Sequence, residues 1–195
     1  ADGIDQDCDG GDVCYFDADN DGYGNTSGNP INSSDLLCDG DNEADNLLDC
    51  DDTDASTYPG AAIYEAEIEV ATGFPSCKKD SDGDGYGDIS PSVTVIAGSD
   101  CDDTDAAQYP NADEYCNGED DDCDSFVDES GSVDELDYFI DSDADGYVDS
   151  SVVAHQCYAP DGYLSADEAF GMSDCNDSDA LVNPGVSEGV ADGVD

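Results

Sequence analysis

The sequence is short of positive charge and of the side chains that usually form a protein core. Its 195 residues include 2 Lys plus Arg, 1 His, 1 Met and no Trp, against 53 Asp plus Glu, which gives a formal net charge of -51 at pH 7. Leu, Ile, Val and Phe together make up 32 residues, fewer than a highly charged chain needs to fold by hydrophobic burial alone. Repulsion among the carboxylates therefore has to be neutralised by ions from outside the chain.

The same shortages exclude several classes of function. A strongly negative chain repels nucleic acid and anionic membranes. Copper, zinc and iron prefer imidazole and thiolate ligands, whereas His155 and Met172 are single residues that we interpret as a surface residue and a gap-filler. Lys78 and Lys79 are the only cations and are interpreted as a local counter-charge. With no transmembrane run and no signal peptide, we expect a mature product or a piece of a longer protein.

Ten cysteines in so small and polar a chain indicate an oxidising compartment, in which disulfides replace a missing core. We therefore predict an extracellular or cell-surface location. The order of the cysteines suggests sequential local pairs, although spacing alone leaves the connectivity open. These predicted pairs are Cys8–Cys14, Cys38–Cys50, Cys77–Cys101, Cys116–Cys123 and Cys157–Cys175.

Three segments share one plan, a DxDxDGY loop followed by a variable stretch, a DC(D/N)D(T/S)DA cluster and a proline turn. The loops begin at Asp17, Asp80 and Asp141, and the clusters begin DCDDTDA, DCDDTDA and DCNDSDA. A further motif, CNGEDDDCDS at 116–125, resembles DGIDQDCDG at 2–10 and sets Cys123 opposite Cys8. We predict a junction at 1–16, calcium repeat 1 at 17–62, repeat 2 at 63–112, a second junction at 113–140 and repeat 3 at 141–195.

The two ends of the sequence also match each other. It starts with ADGID and finishes with ADGVD at 191–195, so a continuing copy would have a period of 190 residues. We interpret the chain as one period of a longer array, or as a subunit that continues into its neighbour. The alternative is coincidence in a chain that is rich in Asp and Gly.

Short β-like pieces lie between the acidic motifs. IYEAEIEV at 63–70 alternates apolar with polar residues, and VTVIA at 93–97 is branched and apolar; 138–140 and 151–154 are further candidates. Helical periodicity is weak, and 21 Gly with 7 Pro interrupt it. We predict mostly coil and turn with short β-strands, in an elongated repeat that calcium and disulfides stabilise around little hydrophobic core.

The DxDxDG pattern matches the first half of an EF-hand calcium loop, in which positions 1, 3 and 5 bind through side chains and position 7 through its carbonyl. Position 9 is a further candidate, whereas position 12 would be Gly28, Pro91 or Val152, which supply no carboxylate. These are therefore half-loops. Their candidate ligands are Asp17, Asp19, Asp21, Tyr23 and Asn25; Asp80, Asp82, Asp84, Tyr86 and Asp88; and Asp141, Asp143, Asp145, Tyr147 and Asp149.

The clusters that follow the loops are predicted to supply the missing ligands. A cysteine inside each cluster would fix its backbone and reduce the entropy lost when ligands are gathered. The alternative for any run of aspartates is a solvated acidic surface. The candidates are Asp49, Asp51, Asp52 and Asp54; Asp100, Asp102, Asp103 and Asp105; and Asp174, Asn176, Asp177 and Asp179.

A second class of candidate site places acids two residues apart in the junctions. It comprises Asp5, Asp7 and Asp9, and Asp120, Asp122, Asp124 and Asp128. The stretch CDGDNEAD at 38–45 is either a further site or a solvated loop. At three or four carboxylates per ion, the chain would bind on the order of ten calcium ions, and its folding would require them.

The motifs DxDGDGYG, DCDDTDA with a following YPGA or NPGV, and CNGEDDDCDS resemble the secreted bacterial family of metal-binding-motif repeats, the MopE-like repeats. They are also similar to the calcium repeats of thrombospondin type 3. The resemblance covers most of the chain and implies a calcium-laden extracellular repeat with little conventional core. The family's named member is a copper-binding surface protein, but a copper site of that kind needs His, Met or modified Trp.

The leading hypothesis is a secreted structural protein, one period of an array or fibre that many calcium ions make rigid and that associates end to end with identical copies. The alternatives are a calcium-stiffened stalk or adhesin segment of a larger surface protein, and a copper-binding surface protein. We expect no enzymatic activity, because carboxylates bound to calcium are poor general acids and no nucleophile with an adjacent His is visible. Asn25 in NTS and Asn32 in NSS are candidate glycan acceptors.

Overall fold

The computed structural model describes residues 4, 10–34, 36–68, 73–91 and 95–187. The chain divides into two compact units, the first Ala1–Ala112 with Asp122–Asp124 and the second Asp113–Asp121 with Ser125–Asp195. Within the described residues the regular elements are eight short strands, and none of these residues forms a helix, let alone one able to cross a membrane. The predicted division into five segments stays a prediction.

The first unit contains two small antiparallel sheets. Its first sheet has the order β2-β1-β3, formed by β1 (Val13–Phe16), β2 (Pro30–Asn32) and β3 (Glu43–Ala44). Its second sheet pairs β4 (Thr57–Pro59) with β5 (Cys77–Lys79). Both sheets lie next to the acidic motifs, because β1 ends where the first loop begins and β5 ends where the second begins.

The second unit contains one antiparallel sheet of order β7-β6-β8. Its strands are β6 (Leu136–Ile140), β7 (Asp149–Gln156) and β8 (Tyr163–Ser165). The register between β6 and β7 shifts between Phe139 and Ile140, where β6 runs into the third loop. Each DxDxDGY loop therefore follows directly on a strand.

Two of the four predicted β pieces are strands. The predictions at 138–140 and 151–154 are confirmed by β6 and β7. The prediction at 63–70 is wrong over its described residues, which form turns and one isolated bridge from Ile68 to Pro75; residues 69 and 70 lie outside the described part. The prediction at 93–97 is also wrong over 95–97, and residues 93 and 94 lie outside.

The core is thin and largely polar, as predicted. Among the described residues, eight hydrophobic ones are buried, and these are mostly small: Cys14, Cys38, Ala44, Ala61, Ala62, Tyr138, Val148 and Cys157. Thirteen polar or charged residues are buried alongside them, and seven of these are aspartates. Since buried carboxylates cost free energy unless they are paired, hydrophobic burial does not account for this fold.

Four disulfides staple the chain, which confirms a disulfide-stabilised fold, but every predicted pairing is wrong. The observed pairs are Cys14–Cys38, Cys50–Cys77, Cys101–Cys123 and Cys116–Cys157. The predictions joined cluster cysteines to the cysteine upstream. In the structure, Cys50 and Cys101 instead pair downstream, because the chain returns alongside the cluster after its proline turn. Cys175 has no partner among the described residues, and Cys8 lies outside them.

Tyrosines supply much of the packing around the loops. The rings of Tyr23 and Tyr58 are stacked with centroids 5.4 Å apart, and those of Tyr86 and Tyr109 with centroids 5.5 Å apart. In repeats 1 and 2, the tyrosine at loop position 7 therefore packs on the tyrosine of the proline turn in its own repeat. In repeat 3 the position of that second tyrosine is Asn183, and Tyr147 packs edge-on against Phe170 at 6.1 Å.

Glu65 connects separate parts of repeat 2, which explains why its segment is not a strand. Its Oε2 lies 3.1 Å from Lys78 Nζ and accepts the N–H of Gly87 at 3.1 Å, while its Oε1 accepts the hydroxyl of Ser99. Lys79 Nζ lies 3.5 Å from Asp54 Oδ2. The interpretation of both lysines as local counter-charges is confirmed.

Replacing Glu65 by Gln should destabilise the first unit. The amide removes the charge opposite the mostly buried Lys78 Nζ and weakens two further hydrogen bonds. We expect the free energy of unfolding in calcium buffer to fall by about 2 kcal/mol, measured by urea denaturation with tyrosine fluorescence. Glu67→Gln, at an exposed position two residues away, should change it by less than about 0.5 kcal/mol. Equal urea midpoints for the two variants would contradict this role of Glu65.

Candidate metal centres

The first half-loop is shaped by the carboxylate at its first position. Asp17 follows β1, is 1% exposed, and accepts the backbone N–H of Asn20 at 2.7 Å and that of Gly22 at 2.9 Å. Asn20 and Gly22 have φ of 64° and 92°, a left-handed conformation that Asn and Gly adopt most easily. Both carboxylate oxygens of Asp17 thus hold the backbone of the loop in its turn.

The other acids of this loop each direct one oxygen to the backbone and leave the second without a donor. Asp19 Oδ1 accepts the N–H of Asp21 at 3.3 Å, and Asp21 Oδ1 accepts the N–H of Tyr23 at 2.8 Å. The Oδ2 atoms of Asp19 and Asp21 are buried and accept no hydrogen bond from any described residue. Because an unpaired buried carboxylate oxygen is costly, these atoms mark a candidate position for a cation.

The cluster of repeat 1 contributes a third such oxygen. Asp49 forms a parallel bridge with Asn25, and its N–H donates to the carbonyl of Gly24 at 3.1 Å. Asp49 is 2% exposed; its Oδ1 accepts the N–H of Asp51 at 2.9 Å, and its Oδ2 is buried with no donor among the described residues. The DC cluster is therefore brought to the half-loop, as the sequence predicts.

Repeat 2 has the same arrangement at corresponding residues. Asp80 accepts the N–H of Gly83 at 2.7 Å and of Gly85 at 3.0 Å. Asp100, fully buried, bridges in parallel to Asp88 and donates its N–H to the carbonyl of Gly87 at 2.9 Å. Again the buried oxygens without a donor in the described chain are three Oδ2 atoms, those of Asp82, Asp84 and Asp100.

Repeat 3 departs from this arrangement at one ligand position. Asp141 accepts the N–H of Gly146 at 3.1 Å, and Oδ2 of Asp143 and of Asp174 are buried without a donor from the described residues. Oδ2 of Asp145, however, accepts Nδ2 of Asn183 at 2.5 Å. Sequence reasoning missed Asn183; the change from YP to NP in the third proline turn was the available signal.

The electrostatics of these sites favour a bound cation. Burial, together with the neighbouring carboxylates of Asp19, Asp49 and Asp17, raises the pKa of Asp21 to about 7. Burial likewise raises the pKa of Asp49 to about 6 and that of Asp100 to about 7, again with like-charged neighbours. A shift in this direction means that the carboxylates are partly desolvated and repel one another, and a cation among them would reduce that repulsion.

The atoms that could bind a cation in these sites are all carboxylate oxygens. One carboxylate oxygen from each of Asp17, Asp19 and Asp21 lies within 4.8 Å of the others, and Asp80, Asp82 and Asp84 form an equivalent group. These donors are hard oxygens from short side chains on a tightly turned backbone. Such a set is typical of sites for hard cations, which take oxygen ligands. Thiolate is not available from Cys50 or Cys101, since both form disulfides.

Other predicted cluster ligands make hydrogen bonds that hold the loops in place. Asp52 Oδ1 accepts the N–H of Ala18 at 2.9 Å, and both oxygens of Asp103 and Asp177 accept bonds from Ser81 and Ser142. The remaining members accept bonds from residues two positions ahead, within the cluster turn: Asp51, Asp102, Asn176, Asp54, Asp105 and Asp179. Metal binding by these nine residues stays a prediction.

Residues at loop positions 7 and 9 are close to the sites but have local roles of their own. The N–H groups of Tyr23, Tyr86 and Tyr147 each donate to the aspartate two residues earlier at 2.7 to 2.8 Å. Side-chain oxygens of Asn25, Asp88 and Asp149 accept the N–H of Ser27, Ser90 and Ser151. Their role as ligands stays a prediction.

The junction acids that the structure describes accept local hydrogen bonds. Asp5, Asp7 and Asp9 lie outside the described residues. Asp120 Oδ2 accepts the N–H of Ser125 at 3.0 Å, and Asp122 Oδ1 accepts the N–H of Asp124 at 3.0 Å. Asp128 accepts the hydroxyl of Tyr158 at 2.6 Å, a bond that holds the pKa of this carboxyl below its usual range. Binding of an ion here stays a prediction.

Sequence reasoning also missed Glu114, which organises the second junction. It is 6% exposed, and its two carboxylate oxygens accept the N–H groups of Asp121 and Asp128, both at 2.9 Å. A single Glu before a tyrosine gives no pattern that distinguishes it from other acids. Its role is visible only once 114 and 128 are brought together by the fold.

Comparison with known families supports metal binding without identifying the metal. A family model named for copper-binding MopE and described as "Putative metal-binding motif" matches residues 1–12, 49–62, 100–129 and 174–195. These segments contain the DC clusters and the junction motifs, and they confirm the resemblance predicted from the sequence. No curated protein and no solved structure matches the chain.

Two aspartates of one cluster provide a direct test of the assignment. Asp49→Asn removes charge from a buried oxygen that faces the loop acids, whereas Asp51→Asn removes the same charge two residues away and keeps its Oδ1 acceptor. We expect calcium affinity at repeat 1 to fall at least about tenfold for Asp49→Asn, a change of roughly 1.4 kcal/mol. For Asp51→Asn we expect less than about threefold. The amide signal of Gly22 would follow this site; equal losses would contradict the assignment.

Calcium binding should release protons near neutral pH. The raised folded-state pKa of Asp21 and of Asp100, about 7 against an ordinary 3.8, stabilises the metal-free fold below about pH 4. That contribution is lost as the pH rises through 7, and calcium requires the deprotonated forms. Titration calorimetry at pH 6.5, in two buffers of different ionisation enthalpy, should therefore give buffer-dependent heats. Asp21→Asn should reduce the difference, and identical heats for the unsubstituted chain would contradict the coupling.

Proposed function

Because four segments of the chain carry this family's metal-binding motif, we propose that the protein is an extracellular calcium-binding structural protein. In this proposal, it is one period of a repetitive array or fibre that calcium ions and disulfides make rigid. The observation that carries it is the recurrence of buried Oδ2 atoms without a donor in the described residues, at corresponding positions of three repeats.

Calcium is favoured over copper by the ligand chemistry. The candidate ligands are carboxylates, and calcium prefers oxygen donors, whereas copper prefers imidazole and sulfur. His155 lies on exposed β7, where its Nδ1 is 2.6 Å from Asp137 Oδ1. It belongs to none of the three half-loops. Copper remains a candidate through the family's name and is included below as a competitor.

An ion at each half-loop would act as a cross-link between distant parts of the chain. Asp21 and Asp49 are 28 residues apart, and Asp84 and Asp100 are 16 apart, yet Asp49 contributes to the raised pKa of Asp21, and Asp84 contributes to that of Asp100. Ions and disulfides would then hold the repeats where the thin apolar core does not. Stabilisation by ions and disulfides suits a structural element whose stiffness depends on extracellular calcium.

We propose no catalytic role for these acids. A carboxylate that binds calcium has low proton affinity and is a poor general acid or base. The raised pKa values arise in three copies of the same loop, which fits repeated structure better than a single reaction centre. In the proposed array, identical copies associate end to end.

If glycans are attached, Asn32 is the better acceptor of the two. It is exposed at the end of β2. Asn25 is half-buried, with its Oδ1 accepting two bonds from Ser27 and its Nδ2 3.4 Å from Asp52 Oδ2. A sugar on Asn25 would disturb the first site.

The proposal is tested by counting ions and by removing them. Equilibrium dialysis of the oxidised chain against excess calcium with trace copper, followed by elemental analysis, should show at least one calcium for each of the three loops and negligible copper. Negative-stain images should then show filaments that lose shape in a chelator. Tight copper uptake in excess calcium, or filaments unchanged in shape and diameter without calcium, would contradict the proposal.

A further inference from the structure

Two cysteines stand outside the described disulfides. Eight of the ten cysteines form the four pairs above. Cys175 is exposed and has no partner among the described residues. Cys8 lies outside those residues, so its pairing has to be inferred from other parts of the molecule.

The backbone around Cys175 repeats the backbone around Cys101. Around Cys175, backbone N–H groups donate from Asn176 to Asp174, from Asp179 to Asn176 and from Val182 to Asp179. Around Cys101, the corresponding N–H groups donate from Asp102 to Asp100, from Asp105 to Asp102 and from Gln108 to Asp105. All six distances lie between 2.8 and 3.0 Å. Both clusters are also held to their loops by the same Asp–Ser contact. Cys175 therefore occupies the structural position of Cys101.

In repeats 1 and 2 this position is paired with a returning segment. Cys50 is bonded to Cys77, and Cys101 to Cys123. The tenth residue after each cluster cysteine donates its N–H to the residue just before the partner cysteine. These bonds run from Gly60 to the carbonyl of Ser76 and from Asn111 to the carbonyl of Asp122, both 3.1 Å. One disulfide and one backbone hydrogen bond thus dock the returning segment each time.

In repeat 3 the equivalent surface, residues 174–186, has no such segment among the described residues. Gly185 is the tenth residue after Cys175, and its N–H donates to Oδ1 of Asn183 in its own turn at 2.9 Å. Val186 is 51% exposed, whereas Ala61, at the corresponding position of repeat 1, is 6% exposed. Residues 174–186 therefore correspond to the surface that a returning segment covers in repeats 1 and 2.

The sequence identifies the segment that fits. Residues 2–10, DGIDQDCDG, correspond to 117–125, NGEDDDCDS, so that Asp7 and Cys8 match Asp122 and Cys123. One family match, 100–129, holds both halves of this unit, and the matches at 174–195 and 1–12 hold one half each.

We propose that residues 174–186 dock residues 2–10 of a second copy of this chain, with Cys175 bonded to Cys8 of that copy. The N–H of Gly185 would then donate to the carbonyl of the second copy's Asp7, as the N–H of Asn111 does to that of Asp122. This inference rests on the end-to-end association proposed above and gives it a covalent form. Each such contact between two copies, here called the joint, would have the arrangement that residues 100–125 have within one chain.

The bond forms by exchange with a small-molecule disulfide such as oxidised glutathione. The Cys175 thiolate attacks one sulfur of the oxidant and releases one glutathione thiolate. Cys8 of the second copy, also as a thiolate, then attacks the Cys175 sulfur and releases the other. Two protein thiols lose two electrons and two protons, and one glutathione disulfide becomes two glutathione thiols.

Complementary variants of the full chain test the joint. Cys8→Ser retains Cys175, and Cys175→Ser retains Cys8, so each alone should stay monomeric on a non-reducing gel in calcium and a glutathione redox buffer. Mixed, they should give covalent dimers and no larger species, while the unsubstituted chain gives a ladder. If one variant carries ¹⁵N, mass spectrometry should find a Cys8–Cys175 peptide with one heavy and one light half.

The control separates docking from mere thiol exposure. Cys175→Ser with Ser178→Cys keeps an exposed thiol three residues along the same cluster, and mixed with Cys175→Ser it should give at least tenfold less dimer. A Cys8–Cys175 bond within monomers, or a mixture without dimer, would overturn the joint. If calcium-dependent filaments still form in that case, the proposed function stands; if neither filaments nor calcium-dependent order appear, the proposed function fails as well.

Discussion

Carboxylate oxygens that face one another in a buried loop repel, and either a proton or a cation relieves that repulsion. Repeats 1 and 2 each bring three aspartate Oδ2 atoms into this situation, and repeat 3 brings two. The Oδ1 atoms of the same aspartates accept backbone N–H groups, and these bonds define the geometry of the loop. The charge that would prevent folding of this sequence is thereby concentrated at points where a divalent ion can neutralise it.

The aspartates with an Oδ2 atom that lacks a donor divide their two oxygens between these tasks. In the loops, Oδ1 accepts the N–H two residues ahead, as Asp21 does from Tyr23, and this bond orients Oδ2 towards its neighbours. In the clusters, the same residue type supplies the facing oxygen at Asp49, holds the loop at Asp52 and closes the turn at Asp54. Short side chains with two acceptors suit all three tasks, which explains the dominance of Asp over Glu.

The sequence predicts the parts of this arrangement that depend on local spacing. The half-loops, the approach of a DC cluster to each, the thin core and strands β6 and β7 follow from patterns of a few residues. The disulfides do not, because their pairing depends on the direction in which the chain returns after the proline turn. The alternation at 63–70 is misleading because it places Glu65 on a solvent-facing side of a strand. In the structure, the carboxylate of Glu65 instead bonds to Lys78, Gly87 and Ser99, which are distant in sequence. Nor does spacing distinguish Asp49 from Asp51, since only the folded chain shows which oxygen faces the loop.

The central claim is that ions in the half-loops hold the fold together, and amide hydrogen exchange of the oxidised chain tests it most directly. The N–H groups of Gly22, Gly85 and Gly146 donate to the first aspartate of their loops and report on each site separately. With all disulfides intact, removal of calcium by a chelator should accelerate their exchange by at least about a hundredfold, because local opening then costs little free energy. Unchanged protection of these three amides in metal-free buffer would contradict the account.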